Sequence, residues 1–406
     1  MHHLEVVMDF FHYLIIGGGM TAAAAALGIR ENDPTGSIAI LSDESHRPYD
    51  RPDLSKKLWT GKSEDKIWRK LPAEGLTLRL GDAAAVIEPS RKQVTTASGA
   101  TLVYQKLLLA TGGTPRKLPF APPETVYFRT LDDYRALRAW QGQGRRIGII
   151  GGGFIGSEIA AALALNGEKA VMVFPEVGIG ARLFPAGLAT FLNDYYRQKG
   201  VDVLPGLEIE AIDRRDGSFV LMAKDGQEVM VDHIVAGIGI RPNTALAQSA
   251  GIEIARPEQG GGILVDDHLR TNLPDIYAAG DVASFYEPAL GRWTRVEHED
   301  NAVSMGKHAG SVMAGSTAPY THQSFFFSDL FDLGYEAVGE VDSRLETYAA
   351  WVEPYRQGVV YYLKDQLVRG VLLWNTWGQL QPARDLIAAA QPLTPAQLKR
   401  RLPVKA

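Results

Sequence analysis

Four apolar runs frame the first half of the chain: Tyr13 to Ile16, Ile38 to Leu41, Arg146 to Ile150 and Ala170 to Phe174. Their hydrophobic residues do not alternate with polar ones, which is the pattern of strands buried on both faces of a parallel sheet. The first run enters Gly17-Gly18-Gly19-Met20-Thr21-Ala22 and an Ala-rich helical stretch reaching Arg30. The third enters Gly151-Gly152-Gly153-Phe154-Ile155-Gly156 and a helix extending to about Asn166. The second ends in Ser42-Asp43, and the fourth leads to Glu176. A unit of strand, glycine loop, helix, strand and acid therefore occurs twice.

Between the copies the pattern predicts a loop-rich stretch from Ser45 to Trp68, several short strands, and the run Leu107 to Gly113. After the second copy come an alternating run from Glu228 to Val235, a strand from Asp275 to Ala279, and a helix from about Glu297 to Met313. From His322 onward short β-type runs dominate, such as Gly358 to Leu363 and Leu367 to Trp374, closed by a helical tail. That change predicts a separate α+β domain.

A strand that turns through Gly-x-Gly into a helix points backbone N–H groups and the positive end of the helix dipole at one spot, which suits a pyrophosphate. Gly17 and Gly151 permit the tight turn, Gly19 and Gly153 let the phosphate approach, and Ala22 and Gly156 let helix pack on strand. Asp43 and Glu176 each fall about 25 residues beyond the first glycine, near the usual offset of roughly 20, where a carboxylate accepts hydrogen bonds from a ribose diol. Two such sites on one chain imply a relay, with FAD resident and NAD(H) arriving as hydride donor. Glu176 favours NADH, since a 2′-phosphate would meet like charge; Arg182, nearby in sequence, leaves NADPH open.

At 406 residues the chain calls for two or three domains. It has no cysteine, so it contains neither a structural disulfide nor a thiolate metal site, and it carries no redox dithiol of its own. A formal charge of −5 argues against a nucleic-acid-binding surface. No apolar run approaches the roughly 20 residues that span a bilayer. Residues before about Asp9 read as a loose lead-in, with His2 and His3 disordered, and the cytosol is the expected compartment.

Further motifs stand outside the repeat. They include Arg47-Pro48-Tyr49-Asp50-Arg51-Pro52-Asp53-Leu54-Ser55-Lys56-Lys57-Leu58-Trp59, Ala110-Thr111-Gly112-Gly113-Thr114-Pro115-Arg116 and Ala278-Ala279-Gly280-Asp281. More specific are Arg295-Val296-Glu297-His298, the pair His322-Gln323-Ser324 and Phe327-Ser328-Asp329-Leu330, and the run Gly370 to Asn375. On these residues the chain resembles the two-dinucleotide flavoprotein reductases, and within them apoptosis-inducing factor and its bacterial relatives, from about Phe11 to Leu402.

The resemblance implies an α/β fold with two Rossmann-like domains and a C-terminal α+β domain. An FAD domain (10–125 and 240–321) would be split around an NAD domain (126–239), with the C-terminal domain at 322–406. It implies that Ala110, Thr111, Gly112 and Gly280 line the FAD, that Asp281 holds its ribityl–phosphate portion, and that Arg51 reaches its phosphate or flavin end. Lys56 would lie beside the isoalloxazine, paired with Glu158. Phe154 would gate the nicotinamide pocket, with Gly239 nearby. Glu297 and His298 would sit at the flavin's pyrimidine side or the nicotinamide. Phe327 stands where the family has tryptophan, and Ala349 to Gln357 reads as a short connector in place of a longer insertion. A role in cell death is not implied.

Other tempting residues have plainer readings. Glu297-His298-Glu299-Asp300 looks metal-like, but consecutive helical residues cannot all face one ion, so no metal is expected. Phe325, Phe326, Trp374 and Trp377 read as packing residues. The electron acceptor is not encoded: a small molecule, a quinone or a ferredoxin all suit, and a ferredoxin or rubredoxin reductase is the near alternative. A slow-turnover NADH sensor, changing its homodimeric state on binding, is an alternative of another class.

Overall fold

In the computed structural model residues 9–402 are described, so the expectations for the lead-in, with His2 and His3, lie outside the described residues. The chain forms two compact units. One holds residues 9–50, 64–114 and 242–324; the other holds 51–63, 115–241 and 325–402.

The first unit is built on a seven-stranded sheet. Its parallel part runs Leu76–Leu80, Ile38–Ser42, Asp9–Ile16 and Thr101–Leu109, and Ile276–Ala278 pairs the far end of the last strand. Gln93–Thr96 and Ala84–Glu88 extend it antiparallel. Leu14, Ile15, Ile38, Ile40, Leu107 and Leu108 have no exposed surface, as continuous apolar strands in a covered sheet require. The helix Met20–Asn32 is alanine-rich because the helix Glu299–Met313 crosses it at backbone distance. Gly28 faces the carbonyl of Lys307, Gly306 that of Thr21 and Gly310 that of Ala25, each so closely that a Cβ would overlap the oxygen.

The second unit repeats the motif in a four-stranded parallel sheet ordered Asp202–Pro205, Lys169–Phe174, Arg146–Ile150 and His233–Ala236. The helix Phe154–Leu165 connects its central strands. A three-stranded antiparallel sheet, Ile209–Arg215, Ser218–Ala223 and Glu228–Val231, packs its apolar face on the parallel one. The C-terminal part is a five-stranded antiparallel sheet ordered Phe325–Leu330, Leu333–Gly339, Leu367–Trp374, Gln357–Lys364 and Glu346–Glu353, followed by helices Leu380–Ala388 and Pro395–Leu398. The fold class is therefore the mixed α/β arrangement with parallel sheets and a β-rich C-terminal part.

Several expectations need correction. The run Glu228 to Val235 is two strands in two sheets, because the Asp232 carboxylate breaks it by accepting hydrogen bonds from the Arg146 amide and the Ser218 hydroxyl. The helix expected from Glu297 starts at Glu299 with His298 as its N-cap. Ala349 to Gln357 is mostly strand: Glu346–Glu353 turns directly into Gln357–Lys364. Trp374 is fully buried, but Trp377 is 56% exposed, lying over Gly334 rather than inside the sheet. Among the described residues no helix is long and apolar enough to cross a membrane.

Candidate dinucleotide-binding and redox site

The two glycine loops have the same internal geometry. Gly17 donates its N–H to the Leu41 carbonyl at 2.8 Å and Gly151 to that of Val173 at 2.9 Å. Ala110 and Gly237 donate to Ile16 and Ile150, both at 2.8 Å. Gly17 and Gly151 have φ of +114° and +120°, and a Cβ on either would overlap the carbonyl oxygen of Ala110 or Gly237. Only glycine meets both demands.

Gly19 and Gly153 are the N-caps of their helices, neither with a side-chain cap, and a Cβ at either would meet no atom within 4 Å. The first-turn N–H groups are thus presented to whatever approaches, which fits a dinucleotide pyrophosphate at both loops. Gly156 lies so close to the Gly151 carbonyl that a side chain would part helix from strand, and Ala22 is fully buried in the equivalent place.

Around the first loop, Asp43 is exposed just past its strand, free to meet a ribose. The turn Gly280–Val282 is held against Thr21, in the first turn of the loop's own helix, which brings Asp281 to that end of the sheet. Ala110-Thr111-Gly112 is tied by Asn243. The Asn243 side chain donates to the Thr111 carbonyl at 2.9 Å, the Asn243 amide donates to that of Gly112 at 3.0 Å, and the Thr111 hydroxyl donates back at 2.9 Å. Glu297 lies before the helix and pairs with Arg295 at 2.6 Å. His298 is half-buried among densely packed neighbours, and desolvation pushes its imidazole down to about 4 despite the nearby Asp281 and Asp300. At neutral pH His298 therefore offers a neutral ring and no charge. Glu297 and His298 precede the helix Glu299–Met313, so helical spacing does not set where their side chains point.

Around the second loop, Glu176 pairs with the exposed Arg182 at 2.7 Å. Gly239, at φ +96°, accepts from the Arg116 amide.

The second unit also carries a buried charge cluster. Glu158, in the second turn of the helix Phe154–Leu165, is 5% exposed and forms an ion pair with Lys56. The Ser55 hydroxyl donates to its Oε2 and the Ser328 hydroxyl to its Oε1, both at 2.6 Å. The Lys56 ammonium lies 5.4 Å from the centre of the Phe327 ring, within range of a cation–π attraction. Phe154 meets Phe326 edge to face at 5.5 Å. Arg51 directs its guanidinium to the carbonyl of Arg129 at 2.9 Å.

The sequence reading missed Ser55, Ser328 and Asn243 as site residues. The first two had a signal, since Ser55 precedes Lys56 and Ser328 follows Phe327 within motifs already singled out. Asn243 had none, because its value lies in reaching a loop about 130 residues away.

Fold and paired loops define a flavin- and pyridine-nucleotide-dependent oxidoreductase. Residues 11–306 match the family model described as pyridine nucleotide-disulphide oxidoreductase, and the chain belongs to that family. Residues 309–354 and 352–389 match the model of the mitochondrion-associated apoptosis-inducing factor C-terminus. The chain is 35% identical to apoptosis-inducing factor 1 of Dictyostelium discoideum over 94% of its length and 79% of that protein. It is 35% identical to the 5,5'-dehydrodivanillate O-demethylase ferredoxin reductase subunit of a Sphingobium species, covering 88% of each. Its structure resembles putidaredoxin reductase, solved in covalent complex with putidaredoxin, with a TM-score of 0.87 at 27% identity over 96% of this chain and 95% of that one. It is an FAD-dependent oxidoreductase with NAD(H) as co-substrate.

Proposed function

We propose that the protein oxidises NADH and passes the electrons to a ferredoxin-type iron–sulfur protein. The observation that carries this reading is the buried Lys56–Glu158 pair, with Glu158 on the very helix whose N-terminus forms the second glycine loop. The names of the reductase relatives support an iron–sulfur protein over a quinone or a small acceptor. Bound FAD supplies the hydride acceptor and the means of releasing electrons one at a time.

The chain's own residues then have distinct tasks. The Gly17 and Gly151 loops hold the two pyrophosphates, Asp43 and Glu176 accept from the riboses, and Asp281 holds the flavin's phosphate chain. Lys56, held by Glu158 and covered by Phe327, keeps a fixed positive charge at the reacting face. Phe154 excludes water there. Glu297 and neutral His298 line the flavin's other end, so the N-terminus of helix Glu299–Met313, rather than an imidazolium, supplies positive potential. The protein works in the cytosol.

Anaerobic NADH should bleach the bound flavin, and cytochrome c reduction should accelerate severalfold only when a ferredoxin is added. Indifference to every ferredoxin tried, alongside rapid turnover with quinones, would remove the iron–sulfur partner. A second reading is favoured by the apoptosis-inducing factor C-terminal match: NADH reduces the flavin slowly and the chain changes its homodimeric state. Gel filtration with and without NADH separates the two.

A further inference from the structure

Arg295 follows the strand Arg292–Thr294 with only 13% of its side chain exposed, and its guanidinium bonds in three directions. Nε donates to the Gly260 carbonyl at 2.8 Å, and Nη1 donates to the Asp281 carbonyl at 2.8 Å. The second Nη1 proton is directed to the Glu297 carboxylate at 2.6 Å. Two backbone carbonyls and one carboxylate thus share one planar cation, in a set of directions that a point-like ammonium cannot match.

The loop that accepts from Nε is built around this side chain. A Cβ on Gly260 would overlap the Arg295 Cβ, and one on Gly262 would overlap both the Arg295 Cδ and the Val282 carbonyl. The loop is itself anchored. Gly262 accepts from the Ala255 amide at 2.8 Å, Ile263 pairs with Ala283, and the fully buried Ser284 donates its hydroxyl to the Gln259 carbonyl. Arg295 therefore ties the Gly280–Val282 turn to a fixed frame on one side and to Glu297 on the other.

We propose that Arg295 is a positioning residue of the flavin site, whose guanidinium both clamps the Asp281 turn and neutralises the Glu297 carboxylate. This rests on the placement of Asp281 and Glu297 at the flavin. The two tasks are separable, since the clamp needs the planar fork whereas neutralisation needs only a cation. Without a cation, the Glu297 carboxylate would oppose the negative charge that reduction brings to the flavin, and the midpoint potential would fall.

The test compares R295K, R295M, E297Q and the R295M/E297Q double variant in flavin-loaded protein. Three quantities are measured: amide hydrogen exchange of the peptide spanning 280–283, the rate of FAD release, and the flavin midpoint potential. R295M and R295K should both exchange and release FAD about tenfold faster, as loss of hydrogen bonds to a charged group implies. Only R295M should lower the potential, and adding E297Q should restore it toward the parent value. Unchanged exchange in R295M would overturn the clamp. A drop in potential that persists in R295M/E297Q would overturn the neutralisation. Faster exchange with FAD release and potential both unchanged would overturn the positioning role, because Asp281 and Glu297 would then lie away from the flavin while the clamp itself stands.

Discussion

Gly17 and Ala110 are in backbone contact: the Gly17 α-carbon faces the Ala110 carbonyl so closely that a methyl group there would overlap the oxygen. Gly151 stands in the same relation to Gly237. Because neither neighbour is a flexible side chain, the strain of a substitution cannot be relieved locally, and a positive φ adds to it. Gly17→Ala should lower the flavin-to-protein ratio of purified protein about tenfold. Gly151→Ala should keep its flavin yet need about tenfold more NADH to bleach it. Absorbance at the flavin band reads both, and a Gly151→Ala protein that emerges colourless would mean the loops are assigned in reverse.

Arg182 touches Glu176 in a pair that is mostly solvent on the arginine side, so it is weak in itself. Its consequence is for the nucleotide. Glu176→Ala removes the like charge that a 2′-phosphate would meet and leaves Arg182 to receive that phosphate. The KM for NADPH should fall and that for NADH rise, each by about tenfold, as loss of a charged hydrogen bond implies. Arg182→Ala should leave the NADH kinetics nearly unchanged. Steady-state kinetics with both nucleotides decide the matter.

The repeat was legible because buried parallel strands need uninterrupted apolar runs and a tight turn against a neighbouring carbonyl needs glycine; both leave marks in the local sequence. Helix ends were less legible. His298 has no side-chain signature of an N-cap, so the start was placed at Glu297 when the turn begins at Glu299. The break at Asp232 is set by Arg146 and Ser218, 86 and 14 positions before it, and periodicity alone cannot see it. The same limit hid Asn243, whereas Ser328 stands inside a motif that already draws the eye. A residue such as Asn243, which acts by holding another across about 130 positions, has the composition of an ordinary loop residue.

Gly310 shows how one absent methyl sets a domain core. A Cβ there would overlap the Ala25 carbonyl, on the helix that opens from the first glycine loop. Gly310→Ala should therefore push the helix Glu299–Met313 away from Met20–Asn32 and destabilise by about 1–3 kcal/mol. Calorimetry should show a lower Tm for the flavin-bound protein, whereas Gly315→Ala, where a side chain would meet nothing within 4 Å, should show only the smaller strain of its positive φ.

Glu287 closes the strand Ala283–Glu287 with only 4% of its surface exposed. Burial pushes its carboxyl up to about 7, and the Ala289 amide and the charge of His322 only partly offset this. Its folded value lies above the ordinary 4.5, so the folded protein holds the proton more tightly than the unfolded chain. The associated stability is fully present below about pH 4.5 and is lost as pH rises through about 7. On this group alone the swing is on the order of 3 kcal/mol. Glu287→Gln keeps the oxygen that accepts from Ala289 and removes the titration. The variant should match the parent near pH 5 and exceed it in Tm at pH 8, and the gap should open between pH 5 and 7. Curves that stay parallel across that range would show that Glu287 is already ionised in the folded protein.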